Sequence, residues 1–243
     1  MSFVSDLING ADNKFDHSSL NALQKVTLRA VVMAFLFYGL AAIEGMIMST
    51  ASVIPSIPPV YGSPEHYFSI MTVHPIVGIF GSTYQLVFGA FMFLVPFLTK
   101  KPLYSVKLAN WVWLLITIGT ALSWIAAFAW NYAPLYTLYW PLPADTEQFK
   151  TVGGIVFILG VALIMFGTFG FIYNIYATIF ARVGVHQNKT MKELLISGFG
   201  IDGILNLWYK LTGRQPYTKE PALSLPVVAI FRGTVDTFLD ALI

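Results

Sequence analysis

The sequence predicts an all-α fold, a polytopic bundle of transmembrane helices with four full spans, a partial fifth and interfacial helices. Two observations are compositional: 56% of the 243 residues are hydrophobic and only 11% are charged, whereas soluble domains carry about 25% charged residues. The third is the length of the apolar stretches, because a helix needs about 20 mostly apolar residues to cross a bilayer. This composition excludes a disordered chain, a nucleic-acid-binding domain and an ordinary soluble enzyme.

Four segments meet the length requirement for a span. The first, 30–54, holds a single charged residue, and the second, 67–98, holds a histidine but no carboxylate or basic side chain. The third, 108–138, and the fourth, 151–181, are uncharged. The last three each exceed 30 residues, so we expect them to tilt or to protrude from the bilayer.

These spans divide the chain into four parts. An N-terminal interfacial segment (1–25) precedes the four-helix transmembrane domain (26–182). Next comes an inner-surface segment (183–222), in which apolar residues recur at helical spacing among lysines and arginines, as in helices that lie on membranes. The last part (223–243) begins apolar and then carries charges at four-residue steps. We interpret it as the start of a fifth membrane helix.

Basic residues indicate the orientation of the bundle. Three lysines follow the second span and three basic residues follow the fourth, whereas the opposite loops hold Lys150 as their only basic residue. Lysine and arginine favour the cytoplasmic side of short loops. The sequence therefore predicts a multi-pass cell-membrane protein with its N-terminus on the cytoplasmic side.

His74 is the first candidate functional residue, because an ionisable group at membrane depth is costly and by default functional. At 100° per residue, His74, Gly78, Gly81, Gln85 and Gly89 fall on one helical stripe. Three glycines below a histidine leave room for a flat ligand such as a haem, held by the imidazole on its iron. Alternatively, the glycines admit a neighbouring helix and the histidine bonds a backbone carbonyl.

Three other features of the sequence are candidates for function or for packing. Glu44, the only acid in a span, is either a proton-conducting or ion-pairing carboxylate, or a group paired with a neighbouring helix or reached by water. The loop 131–143 is rich in aromatic residues and prolines, which favours an aromatic belt or a rigid lid. The glycines repeated every seven residues in the fourth span predict a close-packing face.

Two segments of the sequence resemble a known protein family. Met71-Thr-Val-His74, followed by a long apolar helix that ends Phe93-Leu-Val-Pro96, resembles the second helix of subunit I of haem-copper oxygen reductases, most closely the B-type prokaryotic members. Leu135-Tyr-Thr-Leu-Tyr-Trp-Pro-Leu142 is similar to the Thr-x-Tyr-Pro-Pro-Leu loop of that family. Two positions differ from the family pattern: Pro75 stands where glycine usually follows the histidine, and Trp140 stands where Pro-Pro is common.

The resemblance implies that His74 is an axial ligand of a low-spin haem near the outer face. Independently of the resemblance, Glu44 stays a candidate for a proton path because it is an acid in a span. The resemblance also implies that the aromatic loop covers the outer haem edge. The expected cofactor-binding residues are His74, Gly78, Gly81, Gln85, Tyr139 and Trp140. In the family, the second low-spin ligand, the copper-ligating histidines and the high-spin haem ligand lie on later helices. We therefore expect the high-spin haem and copper only on a partner chain.

The resulting hypothesis is the N-terminal part of a split terminal oxidase subunit I, which is not catalytic alone. Its expected partners are membrane lipid, a second membrane chain with the remaining helices, other oxidase subunits, and a cytochrome, cupredoxin or quinol donor. Nucleic acid is not an expected partner. The alternatives are a nitric oxide reductase relative, a non-catalytic haem-binding or haem-free scaffold subunit, and a carrier that uses Glu44.

Overall fold

The computed structural model describes residues 21–54, 64–134, 151–181, 188–217 and 223–240. Helices account for most of these residues, and the described ranges contain no strand. The helices in chain order are α1 (Ala22–Val53), α2 (Pro64–Pro75), a π-helix (Ile76–Tyr84), α3 (Gln85–Thr99), α4 (Val106–Trp130), α5 (Thr151–Phe180), α6 (Met191–Gly198), α7 (Ile201–Leu211) and α8 (Leu225–Asp240).

Four helices in the described ranges are long and apolar enough to cross a membrane. They are α1 with 32 residues, the 34-residue rod His66–Thr99 that combines α2, the π-helix and α3, α4 with 25 residues, and α5 with 30 residues. We call the rod His66–Thr99 the second span. Large apolar side chains point away from the bundle, such as Phe35 at 67% exposure and Phe166 at 65%, which suits a lipid solvent. The predicted all-α polytopic bundle is confirmed.

The first span begins earlier than the sequence predicts, because Asn21 caps it. The Asn21 side chain accepts a hydrogen bond from the Gln24 backbone N–H at 2.9 Å, and the Gln24 side chain accepts one from the Asn21 backbone N–H at 3.1 Å. This reciprocal capping satisfies two of the free N–H groups at the helix start. The predicted interfacial segment 1–25 therefore ends inside α1, and residues 1–20 lie outside the described ranges.

The third span is shorter than predicted, since α4 ends at Trp130. Asn131 adopts the left-handed conformation with φ 53°, and its backbone N–H bonds the Ala126 carbonyl oxygen. Such a left-handed residue is a common helix stop. The polar Asn131 therefore ends an apolar pattern that continues beyond it, and the expectation of more than 30 residues for this span is wrong.

The second span changes its winding below Pro75. Proline has no N–H to donate and its ring clashes with the preceding turn. The chain responds with nine π-helical residues, Ile76–Tyr84, before α-helical winding resumes at Gln85. Because π-helical turns close i→i+5 rather than i→i+4 hydrogen bonds, positions above and below this segment do not keep the constant 100° step.

The last two spans, α4 and α5, touch through their backbones. A Cβ added to Gly160 would lie 2.6 Å from the Gly119 carbonyl oxygen and 2.5 Å from Ser123 Oγ. One added to Gly167 would lie 2.7 Å from Ile116 Cγ1. Small residues allow this kind of approach in membrane bundles. The predicted close-packing face of the fourth span is confirmed.

Lys101 ties the end of the second span to the C-terminus of α5. Its buried Nζ donates hydrogen bonds to the carbonyl oxygens of Ile179 at 2.6 Å and Ala181 at 2.8 Å. Carbonyl groups at a helix C-terminus lack partners within the helix, so Lys101 supplies the missing donors. Burial and the nearby charge of Lys189 lower the pKa of Lys101 to about 8.

The short helices α6 and α7 are joined by a buried ion pair. Lys189 Nζ lies 3.2 Å from Asp202 Oδ2 and donates to Ser197 Oγ at the same distance. At the start of α6, the Glu193 N–H donates to the Thr190 hydroxyl, and the Thr190 N–H donates to Glu193 Oε2 at 2.7 Å. These hydrogen bonds with Thr190 hold the pKa of Glu193 below its ordinary value.

One face of α7 is apolar and has no protein covering it among the described residues. Its exposed apolar side chains are Ile201, Ile204, Leu207, Trp208 and Leu211. Two basic residues, Lys210 and Arg214, follow at its end. This arrangement is typical of a helix that lies along a membrane surface.

The last helix, α8, occupies the region where the start of a fifth membrane helix was predicted. It packs against α5 through Phe231, whose ring centroid lies 5.2 Å from that of Tyr176. Phe231 also contacts Phe199 beside α6, at 5.1 Å between centroids. The contacts of α8 thus join the ends of α5 and α6 into one cluster.

Candidate functional site

His74 lies in the last turn of α2, directly before Pro75. Its side chain is 35% exposed, so one part of the ring is accessible from outside the described bundle. The ring nitrogen Nδ1 is buried and has no hydrogen-bond partner among the described residues. The nearest charged atom to that nitrogen is Oε2 of Glu44, 3.8 Å away.

Glu44 reaches this position from α1 and is only 2% exposed. Its Oε1 accepts a hydrogen bond from Trp124 Nε1 on α4, at 2.8 Å. Its Oε2, the atom that faces His74, has no hydrogen-bond partner in the described part of the chain. Three spans therefore contribute one side chain each to a chain of polar groups, Trp124–Glu44–His74.

The surrounding packing is apolar and fixes these side chains. Phe37, Ala41, Val73, Val77 and Ala127 form a buried cluster from α1, the second span and α4. Unpaired polar atoms in such surroundings are costly, because no water replaces the missing hydrogen bond. The open polar atoms of Glu44 and His74 are thus the chemically notable feature of this cluster.

Gly45 borders the His74 ring on α1. A Cβ added to Gly45 would lie 3.3 Å from Cε1 of the imidazole and 3.9 Å from its Nε2. The absence of a side chain at position 45 therefore lets this edge of the ring approach α1 without crowding. Sequence reasoning did not select Gly45, although a glycine directly after the only acid of a span was a signal for it.

The glycines predicted to form an open slot pack against α1 instead. A Cβ on Gly81 would lie 2.8 Å from both Phe37 and Thr120, and one on Gly89 would lie 2.7 Å from Ala30. Gly78 is less crowded, with Ala41 at 3.7 Å. The alternative interpretation, that the glycines admit a neighbouring helix, is the one that the structure confirms for Gly81 and Gly89.

Gln85 links α3 to α4. Its buried amide nitrogen donates to the Trp113 carbonyl oxygen at 3.2 Å and to the Thr117 hydroxyl at 2.8 Å. Both of its N–H groups are therefore used within the protein. Gln85 thus fixes the α3–α4 pair, and its expected role as a cofactor contact stays a prediction.

Two more expected cofactor contacts, Tyr139 and Trp140, belong to the range 135–150, which lies outside the described residues. The aromatic lid therefore stays a prediction. Trp124, like Gly45, is a residue that sequence reasoning missed. The third span carries several tryptophans, and the sequence pattern alone does not distinguish the one whose N–H faces Glu44.

The chain resembles known proteins over most of its length. The family model "Cytochrome C and Quinol oxidase polypeptide I" matches residues 25–212. A cytochrome c oxidase subunit 1 homolog from Agrobacterium tumefaciens (strain T37) is 31% identical over an alignment of 176 residues, and the match covers 63% of this chain and 28% of that protein. The cytochrome c oxidase subunit 1 of Rhodobacter capsulatus is 30% identical over 171 residues, 63% of this chain and 29% of that protein.

A third relative is the bacteroid cytochrome c oxidase subunit 1 homolog of Bradyrhizobium diazoefficiens, 31% identical over 173 residues. That match covers 65% of this chain and 28% of the relative. The chain thus spans less than a third of the length of the curated relatives it matches. No solved structure matches the chain.

Proposed function

Because the chain belongs to the cytochrome c and quinol oxidase polypeptide I family, we propose that it provides His74 as an axial ligand to a low-spin haem in a haem-copper oxidase. The observation that carries this proposal is the state of His74 itself. It is an imidazole in an apolar span, and its side chain is 35% exposed, so part of the ring is accessible. Histidine is the common axial ligand of haem iron in proteins.

The residues around His74 fit a bound haem. Part of the ring is exposed, and Gly45 places no side chain beside the edge of the ring that carries Nε2. Gly78 is the least crowded glycine of the predicted stripe, so it stays among the proposed contacts. When bound, the haem supplies a one-electron carrier. The chain's own contribution is to hold the imidazole in a fixed place inside an apolar cluster, away from water.

The length of the relatives supports a proposal for the rest of the assembly. They are more than three times as long as the stretch they share with this chain. We propose that a partner chain carries the remaining subunit I helices, with the second low-spin ligand, the high-spin haem and the copper. Other oxidase subunits and a cytochrome, cupredoxin or quinol donor complete the proposed complex, in which this chain alone does not reduce oxygen.

We propose the orientation in which the end of α1 at Ala22 and the loop after the second span face the cytoplasm. Lys100 at that loop and Lys107 in the first turn of α4 are exposed, as expected for residues that stay on the cytoplasmic side. Because the chain has no cysteine, single cysteines report the topology directly. A cysteine at Lys107 labels only from the cytoplasmic side of the membrane, and labelling from the outside reverses the proposed topology.

The ligand assignment is tested by replacing His74 with alanine in the complex isolated from native membranes. We expect the low-spin haem absorbance and its electron paramagnetic resonance signal to be lost. His66→Ala is the matched control, because His66 lies two turns earlier on the same helix, and this variant keeps both signals. An unchanged spectrum in His74→Ala, with the chain present in normal amount, overturns the assignment.

The same preparation distinguishes the scaffold alternative. A haem-free scaffold subunit predicts that the isolated wild-type complex lacks a low-spin haem which depends on this chain. Measurement of haem per complex with and without the chain decides between the two. If His74→Ala does not accumulate, His74→Gln provides the second test, because it keeps the polarity and size of the side chain but replaces the imidazole.

A further inference from the structure

We propose that Glu44 is a positioning residue that orients the His74 ring, accepting a hydrogen bond from Nδ1 while Trp124 holds its other oxygen. This inference rests on the proposed function, in which His74 binds the haem iron. It gives the only acid in a span a role that differs from the proton-conducting one expected from the sequence.

The first argument is that two open polar atoms face each other. Glu44 Oε2 and His74 Nδ1 are both buried and both lack a hydrogen-bond partner in the described ranges, and they lie 3.8 Å apart. Buried polar atoms are nearly always hydrogen-bonded. An N–H···O bond needs about 2.9 Å, so a ring rotation that brings the atoms about 1 Å closer satisfies both of them at once.

The second argument is that the carboxyl group is already held on its other side. Trp124 Nε1 donates to Oε1 at 2.8 Å, which is a short and well-formed bond. A group that carries protons through a span must change partners, whereas Glu44 is anchored between α1 and α4 with one oxygen aimed at the second span. The geometry therefore favours a fixed acceptor.

The third argument is chemical. A histidine that binds a metal through one ring nitrogen usually donates its other N–H to a carboxylate, carbonyl or water, and this bond fixes the tautomer and the ring orientation. With Nδ1–H directed to Glu44, Nε2 is the nitrogen left for iron. Nε2 lies on the edge of the ring beside Gly45. Two neighbouring residues of α1 thus face the ring, Glu44 at Nδ1 and Gly45 at the edge that carries Cε1 and Nε2.

A carboxyl group suits this position better than its amide isostere. Glu44 offers two acceptor oxygens, which match the two N–H donors of Trp124 and His74. Glutamine offers one acceptor oxygen and one donor amide, so it leaves an N–H facing an N–H on one side. Glu44→Gln keeps the volume and removes one acceptor, which makes it the informative change.

The experiment measures the haem in the isolated native complex rather than its turnover. In Glu44→Gln we expect the low-spin haem to be retained, its resonance g-values to shift because the ring turns, and its midpoint potential to rise. A carboxylate partner increases the basicity of the histidine ligand, and a more basic ligand favours the oxidised iron. Because Glu44→Gln removes the carboxylate, the midpoint potential rises. Trp124→Phe, which frees Oε1, is expected to give a smaller shift of the g-values.

The matched control is Trp113→Phe. Trp113 lies on the same helix as Trp124, and its Nε1 is buried without a partner among the described residues. Its replacement therefore removes an indole N–H that bonds nothing, and both haem measurements should stay at the wild-type values. If Glu44→Gln does not accumulate, the comparison of Trp124→Phe with Trp113→Phe decides.

The outcomes separate the two proposals. If Glu44→Gln and Trp124→Phe leave the g-values and the midpoint potential the same as in Trp113→Phe, Glu44 does not position the ring, and the ligand assignment of His74 still stands. If His74→Ala keeps the low-spin spectrum, the proposed function fails whatever the Glu44 variants show.

Discussion

Replacement of Gly160 by alanine tests the closest contact in the bundle. A Cβ at this position would lie 2.5 Å from Ser123 Oγ, 2.6 Å from the Gly119 carbonyl oxygen and 2.9 Å from the Ser123 backbone nitrogen. Two of these three atoms belong to the backbone of α4, so they cannot rotate away as the end of a side chain does. The helices themselves have to move.

The size of the effect follows from these distances. Ordinary contact between heavy atoms begins at about 3.5 Å, so α4 and α5 have to separate by about 1 Å at this level. Overpacking of a well-packed core costs about 1–3 kcal/mol, and a displacement against rigid backbone belongs at the upper end. Alanine recovers about 1 kcal/mol through its better helix propensity. We expect a net loss of about 2 kcal/mol in the free energy of unfolding.

Gly39→Ala is the matched control, because a Cβ at Gly39 meets nothing within 4 Å. This change has only the propensity effect, so we expect no loss and a gain of at most about 1 kcal/mol. The assay is reversible unfolding of the purified protein in mixed micelles, followed by circular dichroism. The reasoning is refuted if Gly160→Ala unfolds at the same denaturant fraction as Gly39→Ala, or at a higher one.

Three further predictions concern the ends of the helices. Lys101→Met should lower the unfolding temperature, at a cost of about 1–3 kcal/mol for the carbonyl groups that lose their donor, whereas Lys100→Met, an exposed neighbour, should leave it unchanged. Acidification should loosen the first turn of α6: the lowered pKa of Glu193 means that its stabilising contribution is present above the ordinary pKa of 4.5 and is lost as pH falls through the lowered value. A lower protection factor of the Glu193 amide at low pH than at neutral pH, a difference absent in Thr190→Ala, checks this, and an equal pH dependence in the two proteins contradicts it. A spin label on Leu207→Cys should collide more with dissolved oxygen than with a water-soluble nickel chelate, as expected for a side chain in lipid, and the reverse result would place α7 in water.

The length of an apolar stretch predicts a span well, because a membrane-spanning segment is solvated by lipid. A helix can cross lipid since it satisfies its backbone hydrogen bonds internally. The close-packing face of the fourth span is also predictable from its glycine repeat, since a regular helix places these glycines on one side. The ends of helices are harder to predict from the sequence. α4 ends at Trp130, where Asn131 adopts a left-handed conformation, although the apolar pattern continues to residue 138. A single polar residue there outweighs the pattern that follows it.

The sequence predicts some residues of the candidate site but not how they are arranged. His74 and Glu44 are found as ionisable groups in apolar segments, but their pairing depends on how α1 lies against the second span. Trp124 depends in addition on the rotation of α4. The slot expected along Gly81 and Gly89 assumed one helical period throughout, and Pro75 breaks that assumption. Side chains from three helices that are distant in the chain are brought together by packing, which one sequence does not encode locally.

The π-helical stretch Ile76–Tyr84 changes the rotation of the second span about its own axis between α2 and α3. Above it, the facing direction of His74 is set by α2, and below it, the facing direction of Gln85 is set by α3, with the wider turns absorbing the mismatch. A change in the winding of this stretch would therefore alter the direction of His74 while the contacts of Gln85 with α4 stayed the same.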